Sequence, residues 1–353
     1  MSAPLSREAI LDRLRGVKYP GYSRDIVSFG LVKAVAIEGS RIEVHIAITT
    51  ADPNVPKLIE ENATAVLESV PGVSEASVRL EVSAPVSKAM DAGGMPQTKI
   101  PGIRHVIAVA SGKGGVGKST IAANLAIALR GEKNDVRVGL CDCDIYGPSV
   151  GLMFGTQERP NATADGRIEP IRRYDLTLMS MGFLLDDASP AILRGPMVTR
   201  YTQQFLRHVD WGELDYLVLD LPPGTGDIQL TIVQTVALSG AVIVTTPQEV
   251  ALIDARKAAT MFGKVNVPIL GIVENMSYFI CPNDGNRYEI FGNGGGGREA
   301  ARLGVPLLAQ IPLEMELRES GDRGQPRCLT APDSPIGQLF RQTAEAVRRL
   351  CPL

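Results

Sequence analysis

A short apolar run, Val106–Ala110, leads directly into Ser111-Gly112-Lys113-Gly114-Gly115-Val116-Gly117-Lys118-Ser119-Thr120, and the segment that follows, IAANLAIALR, has a helical composition. The glycines let backbone N–H groups approach an oxyanion with no Cβ in the way. The start of the helix adds partial positive charge. A strand, GxxxxGK[ST] and a helix in that order make a phosphate-binding P-loop, so the loop Gly112–Thr120 predicts bound ATP with Mg²⁺. Lys118 is placed to reach the β- and γ-phosphates, and Ser119 to ligate Mg²⁺.

Such a loop needs a parallel sheet behind it, and the downstream sequence supplies one. Short apolar segments without alternation recur at His105–Ala110, Arg137–Cys141, Leu176–Ser180, Tyr216–Asp220, Ala241–Thr245, Ile269–Glu274 and Pro306–Ile311. Helical patterns fall between them at Lys118–Arg130, Pro196–Val209, Asp227–Leu238 and Gln248–Phe262. Strands buried on both faces read this way. The alternation predicts an α/β fold, a doubly wound and mostly parallel sheet, over residues 103–353. The polar motifs all fall at the carboxyl ends of strands, where such sheets bind ligands.

A smaller unit precedes it. Arg7–Gly16 has helical spacing, Gly30–Ile37 and Arg41–Ile48 flank a Glu38-Gly39-Ser40 turn, Asp52-Pro53 opens a helix through Leu67, and Val73–Val82 alternates as a strand. The expectation is a small α+β domain, α-β-β-α-β, over residues 1–82. Residues 83–102 combine Pro, Gly, Ser and Lys without periodicity and read as a linker.

Two acidic segments flank the loop, LCDCDIYGPS (140–149) and YLVLDLPPGTGD (216–227). Asp220 ends an apolar strand and is placed to hold Mg²⁺, Asp142 to support the metal, and Asp144 to orient or deprotonate the attacking water. For Asp144, capping a turn is the competing reading. Lys113 is not required by an ordinary P-loop. Sitting too early to curl back on its own γ-phosphate, it would reach a phosphate in a facing subunit, or else be a solvated loop lysine.

Bulk properties remove other classes. Hydrophobic residues at 44% provide for a sizeable core. A net charge of −3 with 5% aromatics argues against a nucleic-acid partner. No run approaches the roughly 18 apolar residues of a membrane span, and the first residues, MSAPLSREAILDRLRG, lack the apolar core of a secretory signal. Five cysteines at irregular spacing imply no disulfide framework. The expectation is a cytoplasmic protein with no membrane partner; an amphipathic tail, Ile336–Leu350, reads as a helix packed on the core.

Taken together, GKGGVGKST, DCDIYGPS, LDLPPGTGD, TTPQEVAL and ENMSYF resemble the Mrp/ApbC branch of the deviant-Walker ATPases, related to MinD, ParA and the nitrogenase iron protein, over roughly residues 103–345. The first unit is similar to the cluster-assembly-associated domain often fused ahead of Mrp proteins. The resemblance implies a homodimeric ATPase that carries an iron–sulfur cluster, a [4Fe–4S] group bridging the dimer, and passes it to apo-protein clients. It implies that Lys113 contacts the partner subunit's nucleotide, that Asn275 reads adenine and that Pro247 lines the adenine pocket. An ATP-driven positioning switch of the MinD or ParA type, without cluster binding, is the alternative.

The chain departs from the family at the cluster motif. Cys-Pro-x-Cys is expected after NMS; here Cys281 is present but Asp284 stands at the second cysteine. A bridging [4Fe–4S] cluster takes four thiolates, two per chain, and a carboxylate is the harder, poorer ligand. Cys281 is thus a cluster ligand or an ordinary loop cysteine. In the first unit Thr49–Asn54 lacks the reactive cysteine of its relatives, pointing to client docking. Cys141 and Cys143 read as packing residues, and Gly292–Gly297 as a mobile connection ahead of a helix at Arg298–Leu303.

Overall fold

The computed structural model describes residues 5–18, 25–28, 30–49, 54–83, 97–131, 135–184 and 205–353. The chain forms two compact units, Met1–Gly93 and Gly94–Leu353.

The first unit runs α1 (Arg7–Leu14), β1 (Val32–Glu38), β2 (Arg41–Thr49), α2 (Asn54–Glu68) and β3 (Glu75–Ser83). Ser6 caps α1 by accepting from the Ala9 N–H at 3.3 Å. β2 lies between the other strands, antiparallel to β1 and parallel to β3. Along β2 the side chains of Ile42, Val44, Ile46 and Ile48 are buried, and they share a core with Ile10, Leu14, Ile59 and Leu67 of the helices. Alternate residues of a strand face opposite ways, so one face of the sheet takes the helices. The expected helix opening at Asp52-Pro53 lies outside the described residues.

The second unit continues with β4 (Ile103–Ala110), α3 (Lys118–Arg130), β5 (Val138–Asp142), α4 (Val150–Met153), β6 (Ile171–Arg173), β7 (Leu176–Ser180), β8 (Leu214–Asp220), α5 (Asp227–Thr235), β9 (Gly240–Thr245), α6 (Glu249–Lys264), β10 (Ile269–Glu274), β11 (Phe279–Ile280), β12 (Arg287–Tyr288), α7 (Gly295–Leu303), β13 (Leu307–Gln310), α8 (Met315–Asp322), α9 (Arg327–Thr330) and α10 (Pro335–Leu350). The large sheet has the order β13-β10-β9-β4-β8-β5-β7-β6. Every neighbouring pair is parallel except β6 with β7. All residues of β5, β7, β8 and β9 are buried, as the unbroken apolar runs require. From β4 the chain winds toward β5 and β7, returns to β8, and then proceeds the other way through β9, β10 and β13. The P-loop strand therefore lies where the winding reverses, the crevice in which such sheets bind ligands.

Two expectations fall partly outside the described residues, and the C-terminal helix packs as expected. Of the linker, residues 84–96 lie outside the described residues, Ser83 ends β3, and Gln97 and Thr98 are bonded to the second unit. The Gln97 amide donates to the Val233 carbonyl at 3.0 Å, and Thr98 bridges Val236. Of the helix expected at Pro196–Val209, residues 196–204 lie outside the described residues and 205–208 are helical. The C-terminal α10 buries Ile336, Phe340, Ala344 and Val347 and packs against α3, so its apolar stripe is covered by the fold.

Candidate active site

Strand register assembles the site. Val109 of β4 pairs with Asp220 of β8, and Asp220 pairs with Asp142 of β5. The start of the glycine loop and two carboxylates are thereby fixed at one edge of the sheet before any side chain is considered. The Gly224 N–H donates to the Ser111 carbonyl at 3.0 Å, which ties the Pro222-Pro223-Gly224 turn to the loop.

At the first turn of α3, the Lys118 ammonium donates to Asp220 Oδ1 in a close ion pair, with the lysine side chain 7% exposed and the aspartate 0%. Lys118 also lies 3.3 Å from Ser119 Oγ. Burial pushes the Asp220 carboxyl above its ordinary range, opposed by Lys118. Asp220 Oδ2 is buried with no hydrogen-bond partner among the described residues. An orphaned carboxylate oxygen beside a serine hydroxyl is a hard oxygen donor set that fits Mg²⁺.

Asp142 is spent differently. Its carboxylate accepts from the N–H groups of Asp144 (3.0 Å), Ser149 (2.8 Å) and Val150 (3.1 Å) and from Ser180 Oγ (3.1 Å). Burial and the neighbouring Asp220 charge push its carboxyl up to about 6, against those N–H donors. Asp142 thus anchors the loop 144–150. Asp144 is half-buried and accepts from the Tyr146 and Gly147 N–H groups, both at 3.2 Å, closing a turn. It nevertheless lines a cavity of about 250 Å³ together with Lys118, Ser119, Thr120, Ser149 and Pro223.

Lys113 is exposed; its carbonyl accepts from Ser111 Oγ at 2.9 Å, and its ammonium makes no hydrogen bond or ion pair among the described residues. It borders that cavity and a smaller one of about 140 Å³, walled by Val116, Thr246, Met276 and Phe291. Neither cavity is lined by Asn275 or Pro247. The Asn275 amide donates to the Val116 carbonyl at 2.8 Å, fastening the P-loop from β10. Gly117 has φ 82°, and a Cβ there would strike the same amide. Pro247 is buried under Gly292 and Gly295.

Glu274, at the end of β10, is fully buried. It accepts from Ser277 Oγ at 2.6 Å, Gln310 Nε2 at 2.8 Å and the Gly296 N–H. This corrects the reading of Gly292–Gly297. The helix α7 begins at Gly295, not Arg298, because these glycines let its first turn press onto the strand ends. A Cβ on Gly295 would stand 2.7 Å from the Pro247 carbonyl oxygen, and one on Gly296 2.8 Å from Glu274 Cβ.

Immediately beyond Ser277, β11 and β12 form a hairpin with Cys281 and Asp284 in its turn. Cys281 is half-buried; Cys141, Cys143, Cys328 and Cys351 are all buried. Cys141 and Cys143 sulfurs lie 3.8 Å apart within the core, as packing residues. The Asp284 carboxyl is held below its ordinary range by the Asn286 N–H and the Tyr288 hydroxyl, with a smaller contribution from Cys281. No group of three or more metal-ligating side chains occurs among the described residues.

Residues 102–348 match the family described as NUBPL iron-transfer P-loop NTPase. The chain belongs to that family. Residues 7–78 match a second family, iron-sulfur cluster assembly protein. This NUBPL-type NTPase is 45% identical to the iron-sulfur cluster carrier protein of Deinococcus radiodurans, over 96% of this chain and 94% of that one. It is also similar to the nucleotide-binding protein of Archaeoglobus fulgidus in complex with ADP, at 40% identity and a TM-score of 0.56, over 63% of this chain and 87% of that one. A cell-division ATPase MinD of Pyrococcus furiosus shares the fold at 22% identity and a TM-score of 0.53, over 70% of this chain and 99% of its own.

Sequence reasoning passed over three residues with buried polar side-chain atoms at or beside the two cavities. Glu274 looked like the polar end of a strand. Thr246 and Ser149 have buried hydroxyls without a partner among the described residues. Ser149 stood in the quoted DIYGPS segment, but the absence of a hydrogen bond has no sequence signal.

Proposed function

We propose that this chain is an ATP-hydrolysing iron–sulfur cluster carrier that works as a homodimer and delivers its cargo to apo-protein clients in the cytoplasm. The observation that carries the reading is the short path from nucleotide loop to thiol. Asn275 holds the Val116 carbonyl, Ser277 is bonded to Glu274, and the Cys281 hairpin starts at Phe279. A rearrangement of the loop on hydrolysis has a direct mechanical route to Cys281.

At the phosphates, Lys118 would leave Asp220 for the β- and γ-oxygens, and the loop N–H groups would cradle the chain of phosphates. Ser119 and Asp220 would hold Mg²⁺, which when bound supplies charge neutralisation. Asp144 would orient the attacking water, and Lys113 would cross to the partner subunit's nucleotide. Exposed apolar side chains at Tyr146, Val250, Ile280 and Ile290, on the elements around the loop and hairpin, suit a face covered by a second copy. The cluster is cargo: each chain contributes Cys281, with further ligands drawn from the partner subunit or client.

Anaerobic reconstitution with iron and sulfide tests this. Wild type is expected to retain iron that Cys281→Ala does not; equal low iron in both would remove the carrier reading. A positioning switch without cargo is favoured by one observation, the single thiol at the hairpin turn. The buried stripe of α10 speaks against a membrane-recruited version, because the apolar face that would enter a lipid surface is already covered. ATP-dependent sedimentation with liposomes would bring that version back.

A further inference from the structure

We propose that Ser149 is a catalytic residue of the NTPase reaction, its hydroxyl donating to the terminal phosphate of ATP. The inference rests on the reading that the Gly112–Thr120 loop holds ATP, and deepens it.

Ser149 occupies the N-cap position of α4, where a serine ordinarily accepts a hydrogen bond from the helix's own N–H groups. It makes no such bond. The Val150 N–H goes to Asp142 instead, as does the Ser149 N–H, so the cap has been taken over by the aspartate. The Ser149 Oγ is left buried and without a partner among the described residues. A buried hydroxyl left unmatched is costly, so a ligand that satisfies it gains by doing so.

Ser149 lies in the wall of the phosphate cavity, with its hydroxyl tucked behind the surface. Lys118, Ser119 and Thr120 line that cavity from the start of α3; Asp144, Gly147, Ser149 and Pro223 line it from the two flanking turns. In nucleotide switches the flanking segments contact the γ-phosphate, whereas the loop and helix hold the inner ones. Ser149 belongs to the flanking set. Its backbone is fixed by the Asp142 carboxylate, and Pro148 before it packs on Gly182. On a backbone held this way, a turn of the side chain is all the reorganisation the donor needs to meet charge on the phosphate. Asp142 then acts through Ser149 as a positioning residue: its buried carboxylate fixes the switch segment, and the serine touches the substrate.

The experiment measures binding of Mg²⁺·AMP-PNP and Mg²⁺·ADP to wild type, Ser149→Ala and Ser149→Thr of the full chain, with melting curves on each. Ser149→Ala should bind AMP-PNP about tenfold more weakly, the worth of one hydrogen bond to a charged group, and should hold ADP within about twofold. Ser149→Thr, which keeps the hydroxyl, should restore AMP-PNP affinity. Equal losses for both nucleotides, no loss for either, or no rescue by threonine would overturn the assignment. Wild type that binds neither nucleotide would overturn the reading of the loop beneath it, a different failure from a Ser149→Ala that behaves as wild type.

Discussion

The Lys118 ammonium and the Asp220 carboxylate face each other inside the fold, each neutralising a charge that the other's burial would make costly. The lysine proposed to grip phosphate is parked on the aspartate proposed to hold the metal. Breaking such a pair from one side leaves an uncompensated buried charge, worth about 3–5 kcal/mol. Lys118→Ala should therefore abolish ATP hydrolysis and also lower Tm. Lys118→Ala combined with Asp220→Asn should recover part of the Tm and none of the activity. Calorimetry beside an ATPase assay reads both; a single variant with unchanged Tm would mean that the pair does not neutralise Asp220.

The Lys113 side chain has no partner within its own chain among the described residues, and its carbonyl keeps the Ser111 bond in any variant, so truncating the side chain should leave the isolated subunit intact. Lys113→Ala is expected to keep ADP affinity within about twofold, lose turnover by about 100-fold and fail to dimerise with ATP. Light scattering and an ATPase assay decide it; unchanged turnover would make Lys113 a solvated loop residue.

Thiol reactivity should single out one position. Four of the five cysteines are buried, and burial pushes the Cys328 thiol up to about 12, so it stays protonated, and inert, through pH 7–9. Titration of the native, iron-free protein with an aromatic disulfide reagent should release about one rapid equivalent, absent in Cys281→Ser. Several rapid equivalents would mean that the strand-end cysteines open to solvent.

Two neighbouring glycines of α7 should respond in opposite directions. A Cβ on Gly296 meets Glu274 Cβ at 2.8 Å, so Gly296→Ala should destabilise the fold by about 1–3 kcal/mol. At Gly297 the nearest atom is Leu307 Cδ2 at 3.8 Å, so Gly297→Ala should be neutral, or stabilising by up to about 1 kcal/mol through helix propensity. Urea unfolding of both variants checks the contrast.

The sequence made some elements plain for physical reasons. Leu176–Ser180 and Ile269–Glu274 were read at their observed bounds because a strand buried on both faces is mostly apolar, and each ends on a polar residue, Ser180 and Glu274. Lys118–Arg130 starts where glycine stops and ends at Gly131. The edge strand Ile171–Arg173 was missed, being three residues long with two arginines. The start of α7 was missed because glycine ordinarily interrupts a helix, and here it permits contact with Glu274. At the site, the loop and its flanking aspartates were legible as residue types. Their division of labour was not: Asp142 bonded to four donors and Asp144 closing a turn are facts of register and loop path, which no local spacing encodes.

The hydrogen bond from Asn275 to Val116 spans 159 positions of chain. The loop GKGGVGKST leaves the ribosome complete, with every atom it needs for phosphate, long before its fastening has been synthesised. Until β10 emerges and docks, a nascent chain carries the motif without the cradle. The fastening of the loop is thereby postponed until the last but one strand of the large sheet has been made.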